Sequence, residues 1–447
     1  MPARRLFVLL AALTVLSVAG LLEPRLAFVT LAADGVLLVA FVIDLLRARR
    51  VPLDAERYWP PLLVQGAPAA VCVRLAWKVP AGALGGQRVL LREGLHPALA
   101  TAPRRQDLKL PAGRPVEWTY SLTPRRRGEV PVGPLSARVL GPWQLAWAER
   151  QLLPSEGRRI YPQVRWEGRV GQLLALAQRR ELGSVPLVAQ GVGREPYALR
   201  EYRTGDALGK IHWKATARHD RLITREETWE RGIRLLILLD TARSMTGNAE
   251  RAGAGAAGER SKLDVSLAAC LALMRVAAGR GDRVTLAAFS DRVERVVRVG
   301  GGSRDLELAY RALYDLPARF TEPAWDLAAA QALALEPRRA TVVVFTSIVD
   351  LATAEPLREA LGVLGRRHRS LLVNLEDPEL SALAREEPAD APGAFAQVGA
   401  LEILLANRRL GKSLGRRGTR VVTCPADRLA LSALEAYLAF FRERGGR

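Results

Sequence analysis

The strongest constraint on this chain is a pair of apolar runs near its N-terminus. Residues 6–22 are apolar or small apart from Thr14 and Ser17, and residues 26–46 are mostly apolar. As helices these runs would reach about 26 Å and about 31 Å, near the roughly 30 Å of a bilayer core. Only Glu23, Pro24 and Arg25 separate them. The sequence therefore predicts a transmembrane helical hairpin over residues 1–50.

Arginines flank both outer ends of this hairpin. Arg4 and Arg5 precede the first run, and Arg47, Arg49 and Arg50 follow the second. Basic flanks favour the cytoplasmic side. We therefore expect the bulk of the chain in the cytoplasm, anchored to a membrane. A signal peptide cleaved after residues 17–19 is the alternative, and the second apolar run argues against it.

Two carboxylates interrupt the second run. Asp44 lies near the cytoplasmic end, where we expect it to reach water. Asp34 lies deeper, where a carboxylate costs about 2.5–3.5 kcal/mol on insertion scales. Asp34 is either a contact for a partner helix or a group that is protonated or close to the outer interface.

The chain is strongly basic, with a formal net charge of +20, and only six of its 66 basic residues are Lys. Such an excess favours an anionic partner, either a nucleic acid or the acidic inner leaflet, unless the charge is scattered over the surface. No zinc-finger spacing or aromatic-interleaved RNA motif accompanies it, so no specific nucleic acid is expected. Three distant cysteines without a Cys-x-x-Cys pair favour a reducing compartment.

Residues 51–165 alternate short runs of strand-forming residues with turns rich in Gly and Pro. This pattern predicts a β-sandwich-like domain. Trp118 and Tyr120 share one face of a strand at period two, and we expect both in its core.

Residues 166–232 form a connector with a dense motif of charged and aromatic residues at 193–226. Three interpretations stay open: a structural latch, an anion or phosphate site that includes Lys210, and a catalytic site that uses His212. No Ser or Cys nucleophile with a recognisable signature lies beside that histidine. The candidate binding residues of the motif are Arg200, Arg203, Asp206, His212, Trp213, Lys214 and Arg218.

Residues 233–447 alternate buried strands and helices, which predicts a doubly wound parallel α/β sheet. Residues 234–240 form a continuous apolar run that ends in Asp240. Such a run is typical of a strand buried on both faces. Asp240 would then lie at the carboxyl end of the strand, where open α/β sheets bind their ligands.

Two segments resemble the bacterial family called domain of unknown function 58. They are the motif Leu199-Arg200-Glu201-Tyr202-Arg203-x-Gly205-Asp206 with its continuation Ile211-His212-Trp213-Lys214-x-x-Ala217-Arg218, and residues 236–245. The resemblance implies a membrane hairpin, a β-rich region and a domain like von Willebrand factor A. It also implies an association with MoxR-type AAA+ ATPases, and thus a role in assembling or remodelling other proteins at the membrane.

The resemblance also implies a divalent-cation site, built in von Willebrand A domains from Asp-x-Ser-x-Ser, a later Thr and a later Asp. Here Asp240 and Ser244 match, but Ala242 replaces a hydroxyl and Ser347 stands where the second Asp is expected. Thr321 and Asp350 are weak candidates for the remaining ligands. Arg243 adds a positive charge that disfavours a cation. We expect at most weak Mg²⁺ or Mn²⁺ binding and no other cofactor.

These observations together predict a membrane-anchored interaction or scaffolding protein rather than an enzyme. Its partner would be a protein, with a AAA+ ATPase as the candidate. Two alternatives stay open: a hydrolase-like enzyme using Asp240 and His212, and a binder of anionic lipid or nucleic acid.

Overall fold

A computed structural model describes residues 1–19, 24–79, 86–102, 105–164, 171–172, 195–202, 211–228, 233–249, 260–300, 303–348, 354–416 and 418–442. The chain divides into two compact units, one formed by Met1–Gln163 and the other by most of the chain from Val164 to Arg447.

The first unit begins with two helices, α1 (Arg4–Ala19) and α2 (Pro24–Arg49). The span Phe28–Arg49 of α2 is long and apolar enough to cross a membrane, and its mean hydropathy is 2.2. Helix α1 has 16 residues, or about 24 Å, which is short for a complete span. Within the described residues, which leave out 20–23, one candidate span is therefore present where two were predicted.

The prediction that Asp44 reaches water is wrong, because its side chain is completely buried. Its carboxylate accepts hydrogen bonds from the backbone N–H groups of Trp143 at 2.8 Å, Leu145 at 2.8 Å and Ala146 at 3.0 Å. A Cβ atom at Gly141 would overlap this carboxylate. The loop that follows β8 thus encloses Asp44 and ties α2 to the β-rich part of the same unit.

The described residues of the β-rich part form ten strands in two sheets. One sheet has the order β1-β3-β7-β5, and the other has the order β2-β10-β8-β4-β6 with β9 paired to β8. Trp118 and Tyr120 are 5% and 2% exposed, and their ring centroids lie 4.8 Å apart, so their predicted core position is confirmed. The strands are β1 (Leu53–Tyr58), β2 (Leu63–Val64), β3 (Ala69–Trp77), β4 (Gly86–Leu95), β5 (Leu99–Ala102), β6 (Arg105–Pro111), β7 (Val116–Pro124), β8 (Gly128–Leu140), β9 (Trp147–Leu153) and β10 (Glu156–Tyr161).

The second unit contains a two-stranded antiparallel hairpin followed by the larger sheet. Strands β11 (Glu195–Glu201) and β12 (Ile223–Thr228) pair with each other, and the short helix α3 (Trp213–His219) lies between them in the chain. This hairpin carries part of the charged and aromatic motif of the connector.

The larger sheet has the strand order β15-β14-β13-β16-β17-β18. All neighbouring strands are parallel except β14 and β15, which are antiparallel. Its strands are β13 (Arg234–Asp240), β14 (Arg283–Phe289), β15 (Val293–Val299), β16 (Thr341–Thr346), β17 (Arg369–Leu375) and β18 (Arg420–Cys424). The sequence did not predict β15. That strand alternates Val with charged residues, since its position at the edge of the sheet requires less burial than a central strand.

Helices cover both faces of this sheet, in agreement with a doubly wound arrangement. One buried cluster joins the sheet to α4, α5 and α10, and a second joins it to α6, α7 and part of α9. Central strands are apolar on both sides because both sides are covered. The helices are α4 (Lys262–Gly279), α5 (Ser303–Leu313), α6 (Trp325–Leu335), α7 (Ala354–Gly365), α8 (Pro378–Leu383), α9 (Ala391–Arg416) and α10 (Leu429–Arg442).

Candidate functional site: the carboxyl edge of the larger sheet

Asp240 ends β13 and is completely buried at the carboxyl edge of the sheet. Its Oδ1 atom accepts the N–H of Ala242 at 2.8 Å, and its Oδ2 atom accepts the hydroxyls of Ser244 at 3.0 Å and Thr346 at 2.6 Å. Burial raises the pKa of the Asp240 carboxyl, although these hydrogen bonds act in the opposite direction. Through its hydrogen bonds to Ala242, Ser244 and Thr346, the carboxylate holds the loop after β13 against the end of β16.

A second loop, residues 314–324 between α5 and α6, closes over this edge. The N–H of Arg319 donates to the carbonyl of Thr241 at 2.7 Å, and the N–H of Arg243 donates to the carbonyl of Thr321 at 2.9 Å. The N–H of Ala324 donates to the carbonyl of Ser290 at 2.8 Å. Backbone hydrogen bonds on both sides of residue 320 thus fix this loop on the sheet.

Phe320 lies between those two fixed positions and is 83% exposed, the highest value for a large apolar side chain in the described part of the chain. Its neighbours along the loop are charged. Arg319 approaches Glu294 at 3.3 Å, and the exposed Arg243 approaches Glu322 at 2.9 Å. The carboxyl edge therefore presents one exposed aromatic side chain on a loop whose backbone is fixed, with two ion pairs on the neighbouring residues. Sequence reasoning did not identify Phe320, although a lone Phe in a polar loop was a visible signal.

The candidate cation ligands do not form the set that a tight Mg²⁺ site needs. Asp240 is the only carboxylate placed among them within the described residues, and both its oxygens already accept hydrogen bonds. The Ser347 hydroxyl donates to the Leu375 carbonyl at 3.0 Å. The Thr321 hydroxyl is buried without a hydrogen-bond partner in the part of the chain that the structure describes. Asp350 lies outside the described residues.

The hard cations Mg²⁺ and Mn²⁺ favour several anionic or carbonyl oxygens in octahedral geometry. One engaged carboxylate and a few hydroxyls do not fit a tight site of this kind. The Arg243 guanidinium, paired with Glu322 beside the same loop, further disfavours a cation.

Among the described candidate residues of the connector, His212 has a structural contact and three others are exposed. The His212 ring accepts the N–H of Ala215 at 3.1 Å through Nδ1 and so caps the N-terminus of α3. Trp213 is 67% exposed, and Lys214 and Arg218 are also exposed. Arg200 lies on β11 opposite Thr224. Arg203, Asp206 and Lys210 lie outside the described residues.

Known proteins resemble parts of this chain. Two solved structures that match parts of the chain are the "SpRpn10 VWA domain", at 13% identity with a TM-score of 0.28, and the conserved hypothetical protein BatB from Bacteroides thetaiotaomicron, at 14% identity with a TM-score of 0.32. The first match covers 46% of this chain and 94% of the other, and the second covers 48% and 100%. No curated protein matches this chain.

A family described as "Protein of unknown function DUF58" matches residues 198–390. The match includes most of β11 and of the connector motif, the strand that carries Asp240 and the loop that carries Phe320. Over residues 198–390 the chain is therefore similar to the DUF58 family.

Proposed function

We propose that this protein is a membrane-anchored, non-enzymatic interaction protein whose carboxyl edge, centred on Phe320, binds a protein partner. The observation that carries the proposal is the exposure of Phe320 on a loop that backbone hydrogen bonds fix on both sides. Exposed aromatic residues that are already ordered lose little conformational entropy on binding and often dominate interface energies. The charged groups around the ring would form the polar rim of the interface.

The roles of the two candidate catalytic groups support a non-enzymatic function. Asp240 is buried and engaged by three donors. His212 uses Nδ1 to cap a helix. A general base needs a lone pair directed at a substrate, and these contacts use the lone pairs for structure instead.

Helix α2 supports the membrane anchor, because its span Phe28–Arg49 has the length and apolar character of a transmembrane segment. In this proposal α1 and α2 form a hairpin with both basic ends in the cytoplasm of a bacterium, at the inner or plasma membrane. The proposed partner at the carboxyl edge is a MoxR-type AAA+ ATPase. Together the two proteins would assemble or remodel other proteins.

A direct binding measurement tests the proposal. The full-length protein in detergent micelles would be titrated with the purified ATPase encoded in the same organism. We expect Phe320→Ser to weaken binding by about tenfold or more, the range of an interface hot spot. Leu308→Ser is the matched control, because Leu308 is an exposed apolar residue on α5. Equal affinities of the wild type and the Phe320→Ser variant for the ATPase would show that the partner does not bind at the carboxyl edge.

A further inference from the structure

The outer face of helix α9 carries a row of exposed apolar side chains. Phe395, Val398, Leu401 and Leu405 are 79%, 54%, 42% and 48% exposed. Their spacing of three, three and four residues places them on one face of the helix. We call these four residues the α9 stripe.

The opposite face of α9 packs against its own domain. Ala400 and Leu414 are buried there at 2% and 1% exposure, and the Asn407 amide donates to the carbonyl of Ile348 at 2.9 Å. The α9 stripe therefore takes no part in the packing that holds α9 against its domain. Contiguous apolar surface of this kind marks interaction sites in soluble domains.

Charge changes sign along this helix. The exposed Glu387 and Asp390 lie just before its N-terminus, and Asp390 also caps the helix by accepting the N–H of Gly393 at 2.8 Å. Beyond the α9 stripe, the exposed Arg409, Lys412 and Arg416 continue the same face at helical spacing. The face is thus acidic at its start and basic at its end, and the exposed Glu402 lies beside the apolar residues between them.

Such a face is complementary to itself in the antiparallel direction. If the two-fold axis crosses the exposed face of α9 at the level of residue 400, Phe395 of one copy faces Leu405 of the other. In the same arrangement Asp390 lies one residue out of register with Arg409, within reach of that long side chain, and Leu401 lies beside the axis. Closed two-fold pairing through one shared patch is the commonest arrangement of soluble oligomers. We propose that a second copy of this chain covers the α9 stripe, with the two α9 helices antiparallel.

An acidic membrane surface fits this face less well, because the carboxylates beside Phe395 would be repelled by anionic headgroups. The stripe spans ten residues of helix, or about 15 Å, which is small for a stable dimer in free solution. Attachment of both copies to one bilayer would raise their effective concentration and compensate for weak pairing.

Cysteine cross-linking of the full-length protein in neutral phosphatidylcholine vesicles tests this pairing. Cys270 and Cys424 are buried, so a Cys72→Ala background leaves only introduced cysteines accessible. We expect Leu401→Cys to form a disulfide-linked dimer, and Leu308→Cys, exposed on α5, to form about tenfold less or none. We also expect a mixture of Phe395→Cys and Leu405→Cys proteins to form mixed dimers in preference to either homodimer.

Three results would overturn the proposal: cross-linking of Leu401→Cys no stronger than that of Leu308→Cys, a preference for homodimers at positions 395 and 405, or a dimer that persists in Leu401→Glu. The last change places two carboxylates at the axis and should lower the dimer fraction about tenfold or more. Leu401→Glu should leave binding at Phe320 unchanged, and Phe320→Ser should leave the dimer unchanged. The two proposals can therefore fail separately.

Discussion

Each of the two compact units contains a completely buried aspartate, and the two are stabilised by different donors. Asp44 accepts only backbone N–H groups, from Trp143, Leu145 and Ala146. Asp240 accepts one backbone N–H and two side-chain hydroxyls. A backbone N–H can only donate, whereas a hydroxyl can rotate and accept. The Asp44 position therefore requires an acceptor, and the Asp240 position can also accommodate a donor.

The largest effect should follow from Asp44→Asn. The amide nitrogen of Asn would face at least one of the three backbone N–H groups, and each buried donor without a partner costs about 1–3 kcal/mol. Loss of the charge also weakens the two hydrogen bonds that remain, so we expect a total loss of about 3–5 kcal/mol in unit stability, seen as early proteolysis of the loop after β8 in detergent-solubilised protein. Asp34→Asn is the control, because Asp34 is exposed on the same helix. If Asp44→Asn and Asp34→Asn resist protease equally, the Asp44 contacts do not hold the loop.

Arg57→Ala should be nearly as damaging, since it breaks a buried ion pair of the first unit. Arg57 Nη2 lies 2.7 Å from Glu93 Oε1, and both side chains are 1% exposed. Removing one partner of such a pair costs about 3–5 kcal/mol.

Burial raises the pKa of Glu93, and its pairing with Arg57 opposes this. The double change Arg57→Met/Glu93→Gln should recover most of the stability in thermal unfolding, because it leaves no unpaired charge. A double variant as unstable as Arg57→Ala would show that the charge is not the cause.

Asp240→Asn should have a moderate effect that depends on pH. The folded-state pKa of Asp240 is raised by burial, so its stabilising contribution is complete below the unfolded pKa and is lost as pH rises through the folded pKa. Relative to the wild type, Asp240→Asn should therefore gain stability as pH rises. We expect a change of a few degrees in the Tm difference, since 1 kcal/mol corresponds to about 2–4 °C in a domain of this size. A Tm difference that is constant from acid to neutral pH would contradict this prediction.

His212→Ala should cost about 1 kcal/mol, the usual value of an N-cap. His212→Asn should restore most of that stability, since Asn is a good N-cap residue. Thermal unfolding of the three proteins measures both effects. A loss in His212→Asn equal to that in His212→Ala would indicate that the ring has a further role.

The smallest expected effect is the heat released when divalent cations are added. Titration calorimetry with Mg²⁺ or Mn²⁺ should give no micromolar binding, because the described site has one engaged carboxylate. Micromolar binding in the wild type that disappears in Asp240→Ala would show that a cation site forms after all.

The strand and helix pattern of residues 233–447 was predictable because the spacing of apolar residues in each strand and each helix is visible within a short stretch of sequence. Apolar runs such as residues 234–240 and 341–346 became central parallel strands. Strand β15 was missed because an edge strand needs little burial and therefore leaves a weak pattern.

The candidate site was predictable only in part. The position of Asp240 at the end of a buried strand follows from sequence, and the structure places it there. Its partner Thr346, 106 residues away, could not be identified, because the contact depends on the pairing of β13 with β16. The exposure of Phe320 depends in the same way on two loops meeting at the carboxyl edge.

The sequence by itself determined the apolar span of α2, the alternating order of the α/β unit and the Asp240–Ser244 motif, because each depends on residue type and short spacing. Only the tertiary structure decided that Asp44 is enclosed rather than hydrated, that Phe320 projects from an ordered loop, and that one face of α9 is uncovered. Those outcomes depend on which distant segments pack together. Burial is a property of the packed chain, and residue identity alone does not specify it.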